Sequence, residues 1–382
     1  MPNLKSLFLL DPNIIFLNHG SYGATPKPVF ETYQNWQRKL ETQPVKFLGR
    51  ELAGYLKDAR ETLGAYLNVS GNDLVFVPNV TFGVNVIAHS LKLQEDDEVL
   101  SSDQEYGACD NVWTYLSEKR GFSYKKQAVD LPVKSVEDIL EIFWQGVTER
   151  TKVIFFSHIT SPTALILPIK DICARARAAG IITVIDGAHA PGQLELDLSD
   201  IDADFYTGNC HKWLCSPKGA GFLYVRKDKQ TLIDPLVIGW GLTKEARFSA
   251  GSSFLDYYDW LGTFDPAAYL SVPAAIRFQA EHDWEAVREH CHQLLKEALE
   301  AIQALTGLES VYPADGALYK QLAVTALPPV DSEVFKAKLY NDYRIEIPIT
   351  EHKGKQFVRI SVQAYNTAED LEALQKALKD LL

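Results

Sequence analysis

Short apolar runs alternate with amphipathic stretches between residues 73 and 225. "DLVFVP", "DEVLSS", "KVIFFSH", "IITVID" and "AGFLYV" have the pattern of β-strands. Several are apolar almost throughout, as expected for strands of a parallel sheet covered on both faces. "PIKDICARARAAG" has helical spacing and a stop at Gly180. Residues 153–157, this helix and residues 181–186 therefore predict a strand–helix–strand crossover.

The pattern changes near residue 270. "DWEAVREHCHQLLKEALEAIQALTG" predicts a long helix with Asp283 as N-cap and Gly307 as stop. Its apolar stripe is Val287, Cys291, Leu294, Ala298, Ile302 and Leu305. "RIEIPITEHKGKQFVRISV" predicts two strands around "HKGK", and "TAEDLEALQKALKDLL" a final helix with a capping box at Thr367 and Asp370. The expected fold class is α/β. A large doubly wound, mostly parallel domain covers residues 18–269 and a smaller α+β domain covers residues 270–382. Residues 1–17 are expected to pack on the smaller domain.

Composition narrows the function classes. The 382 residues are 46% hydrophobic and 23% charged, with a formal net charge of -12. That balance opposes a broad nucleic-acid or anionic-membrane footprint. No apolar run approaches the roughly 20 residues that span a bilayer. Asp11 and Pro12 interrupt the short apolar N-terminal stretch, which argues against a signal peptide. Five cysteines without a CxxC do not read as a disulfide framework, so a reduced, cytoplasmic setting is expected. "CHKWLC" has no second ligand cluster, and no metal is expected.

The chemistry begins with Asp186, at the end of an apolar strand, where parallel sheets present ligands to a crevice. Lys212 precedes "AGFLYV" and can return to the same crevice. A lysine and a carboxylate at one sheet edge suit an aldehyde cofactor with a basic ring nitrogen. The lysine can form a Schiff base, and the carboxylate can keep the ring nitrogen protonated. Pyridoxal phosphate also needs an anion site. "FVPNVTFGVNVIAHSL" offers a strand, a turn and a helix striped by Val84, Ile87, Ala88 and Leu91, with Thr81 placed as N-cap. On their own, Asp186 reads first as a strand-end turn or helix cap, Thr81 as a plain cap and Arg359 as a surface ion pair; it is their combination that points to a cofactor.

Eight stretches together resemble the class V aminotransferases, fold type I pyridoxal-phosphate enzymes, and most of all their isopenicillin N epimerase-like branch. They are "FLNHGSYGATP", "VPNVTFGVN", "DQEYGACDNVW", "SHITSPTALILPI", "IDGAHAPGQ", "DFYTGNCHKWLCSPKGAGFLYV", "WLGTFDPAAYLSVPAAI" and "FVRISVQAYNT". The resemblance implies Lys212 as the Schiff-base lysine, Asp186 against the pyridine nitrogen and His189 at the ring hydroxyl. It implies Tyr106 as the aromatic stacked on the ring. Val80, Thr81, Asn209 and His211 are implied at the cofactor, with Thr263 lent to a neighbouring subunit's phosphate. It implies Arg359 as the grip on the substrate α-carboxylate, with Ser161, His19 and Tyr22 nearby. A homodimer acting on a small amino-acid-type substrate follows as an expectation, with no nucleic acid or membrane partner.

The resemblance leaves the reaction open. Desulfurases of this family place a nucleophilic cysteine on a loop shortly before the carboxylate arginine. Here that neighbourhood is "YRIEIPITEHK", without cysteine. Epimerisation, carbon–sulfur lysis and transamination remain, and epimerisation is the expectation. The wall of the substrate pocket is expected from "NHGSYGATP" and "WGLTKEARFSAGSSF".

Overall fold

The computed structural model describes residues 4–243 and 249–382. In chain order its strands are β1 (Ile15–Phe16), β2 (Leu74–Val77), β3 (Glu98–Ser102), β4 (Ser123–Gln127), β5 (Thr151–Ser157) and β6 (Ile182–Gly187). There follow β7 (Phe205–Asn209), β8 (Gly221–Val225), β9 (Leu322–Leu327), β10 (Ile345–Glu346), β11 (Ile349–His352) and β12 (Lys355–Ser361). Seven of them form one sheet, in the order β2-β8-β7-β6-β5-β3-β4.

Neighbouring residues along the central strands serve two cores. Phe156, Ile185, Tyr206 and Phe222 pack on one face. Phe155, Val184, Phe205 and Leu223 pack on the other. Both faces are therefore apolar, which is why these runs do not alternate. The crossover from β5 to β6 runs through the helix Ile169–Ala178, and Gly180 breaks it at a φ of 70°. The hydrophobic pattern does not predict β4, a polar strand at the sheet edge, or β7, whose Gly and Asn dilute its apolar signal.

One strand departs from expectation. β8, which holds "FLYV", runs antiparallel to both β2 and β7. Residues 210–220 join β7 to β8 without a crossover helix, so the chain reverses direction directly. The connection stays at the edge where β5, β6 and β7 end, and Lys212 lies in it.

The second sheet is antiparallel, in the order β11-β12-β9. Lys353 and Gly354 turn the β11–β12 hairpin with φ of 50° and 74°, the positive values that a tight primed turn needs. β1 pairs in parallel with β10, and the Leu4 amide donates to the Ala364 carbonyl, so the start of the chain lies along its C-terminal part. The helix Trp284–Thr306 is capped by Asp283 and stopped by Gly307, as predicted. Its stripe differs by one step: Leu295 and Leu299 are buried, Leu294 is only half-buried, and Leu305 is exposed because the last turn overruns the core. Thr367 and Asp370 form the expected capping box on Ala368–Leu381.

Candidate active site

The carboxyl ends of β5, β6 and β7, with the turn after β2, frame a cavity of about 270 Å³. Asp186, His189, Asn209, His211 and Lys212 line it from one side. Tyr22, Val80, Thr81, Tyr106 and Ser161 line it from the others. The sheet thus gathers residues that lie up to 190 positions apart, from Tyr22 to Lys212.

Lys212 sits in a turn that other segments press closely. A Cβ on Gly23, where φ is 71°, would lie 2.0 Å from the His211 carbonyl oxygen. A Cβ on Gly192, where φ is 86°, would lie 2.3 Å from the Trp213 carbonyl carbon. Only glycine fits both places. Trp213, Leu214 and Cys215 are fully buried beneath the turn and anchor it, so the residues that follow this lysine are apolar. Its Nζ lies 3.1 Å from Nε2 of His189. Burial, and after it the positive charge of Arg359, lowers the Lys212 pKa to about 8, against the pull of Asp186. On the order of a tenth of the amine is therefore free base at pH 7, far more than for an ordinary lysine, and that fraction can act as nucleophile or base.

Asp186 is the penultimate residue of β6 and is 3% exposed. Its Oδ1 accepts from the Ala188 amide at 2.8 Å, and the Cys109 thiol approaches Oδ2 at 3.5 Å. Burial raises its pKa, and no cation is in ion-pair contact with it among the described residues. A protonated ring nitrogen would supply that missing positive charge. His189 is buried, and its pKa is held well below the usual value by burial and then by Lys212.

The helix Val80–Ser90 begins at the cavity, and its cap corrects the sequence reading. Asn79, not Thr81, is the N-cap: its side chain accepts from the Phe82 amide at 3.0 Å. The Val80 amide donates to Asn209 Oδ1 at 3.0 Å. Thr81 is the second helical residue and lines the cavity. Its hydroxyl is therefore not consumed as the cap, and an anion there meets the positive end of the helix. The error came from the spacing of the apolar stripe, which does not separate two cap-type residues two positions apart.

Arg359 is buried on β12 and forms no ion pair among the described residues, against the surface reading of a strand-flank arginine. Nη1 donates to the Ser161 carbonyl at 2.7 Å, Nη2 to Ser21 Oγ at 3.3 Å, and Nε has no partner. Both faces of β12 are buried, so the alternation read from "FVRISV" does not divide inside from outside. A buried guanidinium with a free donor beside the cavity is suited to an incoming carboxylate.

Three predicted residues do not line the cavity. Arg359 lies behind Ser161 and Ser21, which do. His19 is completely buried and does not line the cavity. Its Nε2 meets the Lys212 carbonyl at 3.0 Å, so it supports the lysine from behind rather than facing a substrate. Thr263 is exposed and outside the cavity lining. Of the expected pocket wall 240–254, residues 244–248 lie outside the described residues. Glu105 went unremarked in the sequence. It is buried, accepts from the hydroxyls of Ser102 and Ser157, and Ser157 pairs across the sheet with Asp186. Burial lifts its pKa to about 8. Only its place beside Tyr106 in "DQEYG" could have signalled it.

The chain matches the family model described as Aminotransferase class-V over residues 15–374. It is 34% identical to the isopenicillin N epimerase of Amycolatopsis lactamdurans, over 99% of this chain and 98% of that protein. It is 27% identical to a probable chloroplastic L-cysteine desulfhydrase of Arabidopsis thaliana, over 97% of this chain and 84% of that protein. Among solved structures, the apo cysteine desulfurase of Thermococcus onnurineus NA1 superposes with a TM-score of 0.83 at 20% identity, over 99% of this chain and 97% of that one.

Proposed function

The chain belongs to the class V aminotransferase family, whose cofactor is pyridoxal phosphate, and on that premise we propose that it inverts the α-carbon of an amino acid or an amino-acid-derived peptide. The observation that carries this reading is the single cavity in which Lys212, His189 and Asp186 converge, with Arg359 held behind Ser161. The similarity to an isopenicillin N epimerase across the whole chain gives it direction.

Lys212 would hold the cofactor covalently, Asp186 would oppose its ring nitrogen, and His189 its ring oxygen. Tyr106 would cover the ring, and Val80, Thr81, Asn209 and His211 would surround its phosphate. When bound, pyridoxal phosphate withdraws electrons and makes the substrate α-proton acidic. The protein's own contribution is orientation and proton handling. Arg359 would grip the α-carboxylate in bidentate fashion, with the Ser161 carbonyl and Ser21 hydroxyl fixing its plane. Lys212, with its lowered pKa, would act as the base at the α-carbon. Tyr22, at the cavity rim and 75% exposed, would border the substrate.

A second reading, elimination from a sulfur-bearing substrate, is favoured by the desulfhydrase relative. It would proceed without a protein persulfide: all five cysteines are buried and none lines the cavity. Turnover of a panel of L-amino acids in deuterated water separates the readings. α-Deuterated product of inverted configuration supports epimerisation. Pyruvate with released thiol supports elimination, and a keto acid without either supports amino transfer. We further propose a homodimer in the cytoplasm, in which Thr263 of the partner subunit completes the phosphate site.

A further inference from the structure

We propose that Trp213 fixes the tautomer of His189, so that Nε2 carries the imidazole proton and presents it to the reactive side of the site. Trp213 is fully buried, and its indole Nε1 donates to His189 Nδ1 at 3.2 Å. An indole N–H can only donate. Nδ1 must therefore accept, and a neutral imidazole that accepts at Nδ1 bears its proton at Nε2. His189 is neutral because it is buried and because positive charge on Lys212 and Arg359 opposes a charge on the ring; the neutral His19 ring adds none, and the Asp186 carboxyl on the strand before it does not reverse this.

The consequence reaches Lys212. An Nε2–H lying 3.1 Å from Nζ needs an acceptor, and only the free-base amine offers a lone pair. An ammonium would set N–H against N–H. The indole thus disfavours the charged lysine and adds to the effect of burial. Trp213 and Lys212 are sequence neighbours, yet the link between them runs through the imidazole of another segment. Two further contacts hold the geometry: Gln193 donates to the His189 carbonyl at 2.9 Å, and Gln279 to the Trp213 carbonyl at 2.8 Å. Trp213 is a positioning residue; it acts on the site through His189. With pyridoxal phosphate bound, as in the reading above, the same Nε2–H would face the cofactor's ring oxygen and stabilise its anionic form.

The test is nitrogen-15 NMR of the imidazoles in the holoenzyme, with His189 assigned by comparison with His189→Gln. The expected spectrum has a protonated Nε2 and an unprotonated Nδ1; a protonated Nδ1 overturns the proposal. In Trp213→Phe, which keeps a ring and removes the donor, a population protonated at Nδ1 should appear. The pH midpoint of the cofactor's visible band should rise by on the order of one unit, the worth of a hydrogen bond to a charged group. An unchanged tautomer ratio in Trp213→Phe overturns the proposal whatever the midpoint does. Should that variant not fold, the wild-type spectrum decides. Absence of a visible band in the wild type would instead overturn the lysine–cofactor reading, and the tautomer is read independently of it.

Discussion

His19 Nε2 lies 3.0 Å from the carbonyl of Lys212, and its Nδ1 lies 2.9 Å from the hydroxyl of Tyr365. Burial lowers the His19 pKa to about 3, so the ring is neutral. The Tyr365 hydroxyl donates to Nδ1, and Nε2–H donates to the lysine's main chain. One imidazole thereby ties the N-terminal segment and the stretch after β12 to the reactive turn. His19→Ala should cost about 1–3 kcal/mol of stability by leaving buried polar groups unpaired, and should weaken cofactor retention. Denaturant titration and cofactor-release measurements check both. Unchanged retention would remove the supporting role.

Replacing Lys212 should separate folding from chemistry. Lys212→Ala is expected to fold, to lack the lysine-bound visible band, and to lose turnover by on the order of a thousandfold or more. In the wild type, the rate of cofactor loading onto stripped protein should rise with pH and level off above about 8, because the amine's pKa is lowered to about 8. Unchanged turnover in the variant would reject the assignment.

Arg359 should govern the substrate more than the cofactor. Its Nη groups are held by Ser161 and Ser21 while Nε is free. Arg359→Gln is predicted to raise the amino-acid KM by about 10–100-fold, the worth of a charge-assisted pair, with a much smaller change in cofactor affinity. Steady-state kinetics beside cofactor titration decide it, and equal losses would count against a carboxylate grip.

Glu105 predicts a signature in stability against pH. Its folded pKa, about 8, lies above its ordinary value of 4.5 because the carboxyl is buried. Between those values the folded protein binds more protons than the unfolded chain, so this group's contribution is complete below about 4.5 and is lost as pH rises through 8. Glu105→Gln removes that loss. The variant should gain in Tm relative to wild type from pH 6 to pH 9. A constant difference across that range would mean the carboxyl does not titrate there.

Thr263 is exposed in the single chain and absent from the cavity lining. Should a partner subunit use it at the phosphate, Thr263→Ala should weaken cofactor affinity several-fold while leaving the stability of the separated chain unchanged. Light scattering of the wild type should give twice the chain mass. A monomeric wild type with full activity would dismiss the shared site.

Much of the scaffold was legible because its causes are local. The crossover through residues 169–178, the cap at Asp283, the stop at Gly307 and the box at Thr367 each depend on residues a few positions apart. Errors arose where neighbours could not choose. Two cap-type residues, Asn79 and Thr81, competed for one helix start. Leu294 and Leu295 competed for one stripe, and "FLYV" carries no mark of strand direction.

The sequence by itself determined the residue types and the sheet edge at which they emerge, since an apolar run that ends in Asp186 and another that follows Lys212 need only near-neighbour patterning. Only the tertiary structure decided how those groups meet. Tyr365 lies 346 positions from His19, and Trp213 lies 24 from His189, yet each pair shares one hydrogen bond. Such bonds follow from the packing of whole elements, through which a buried donor must find its acceptor wherever the chain has brought one.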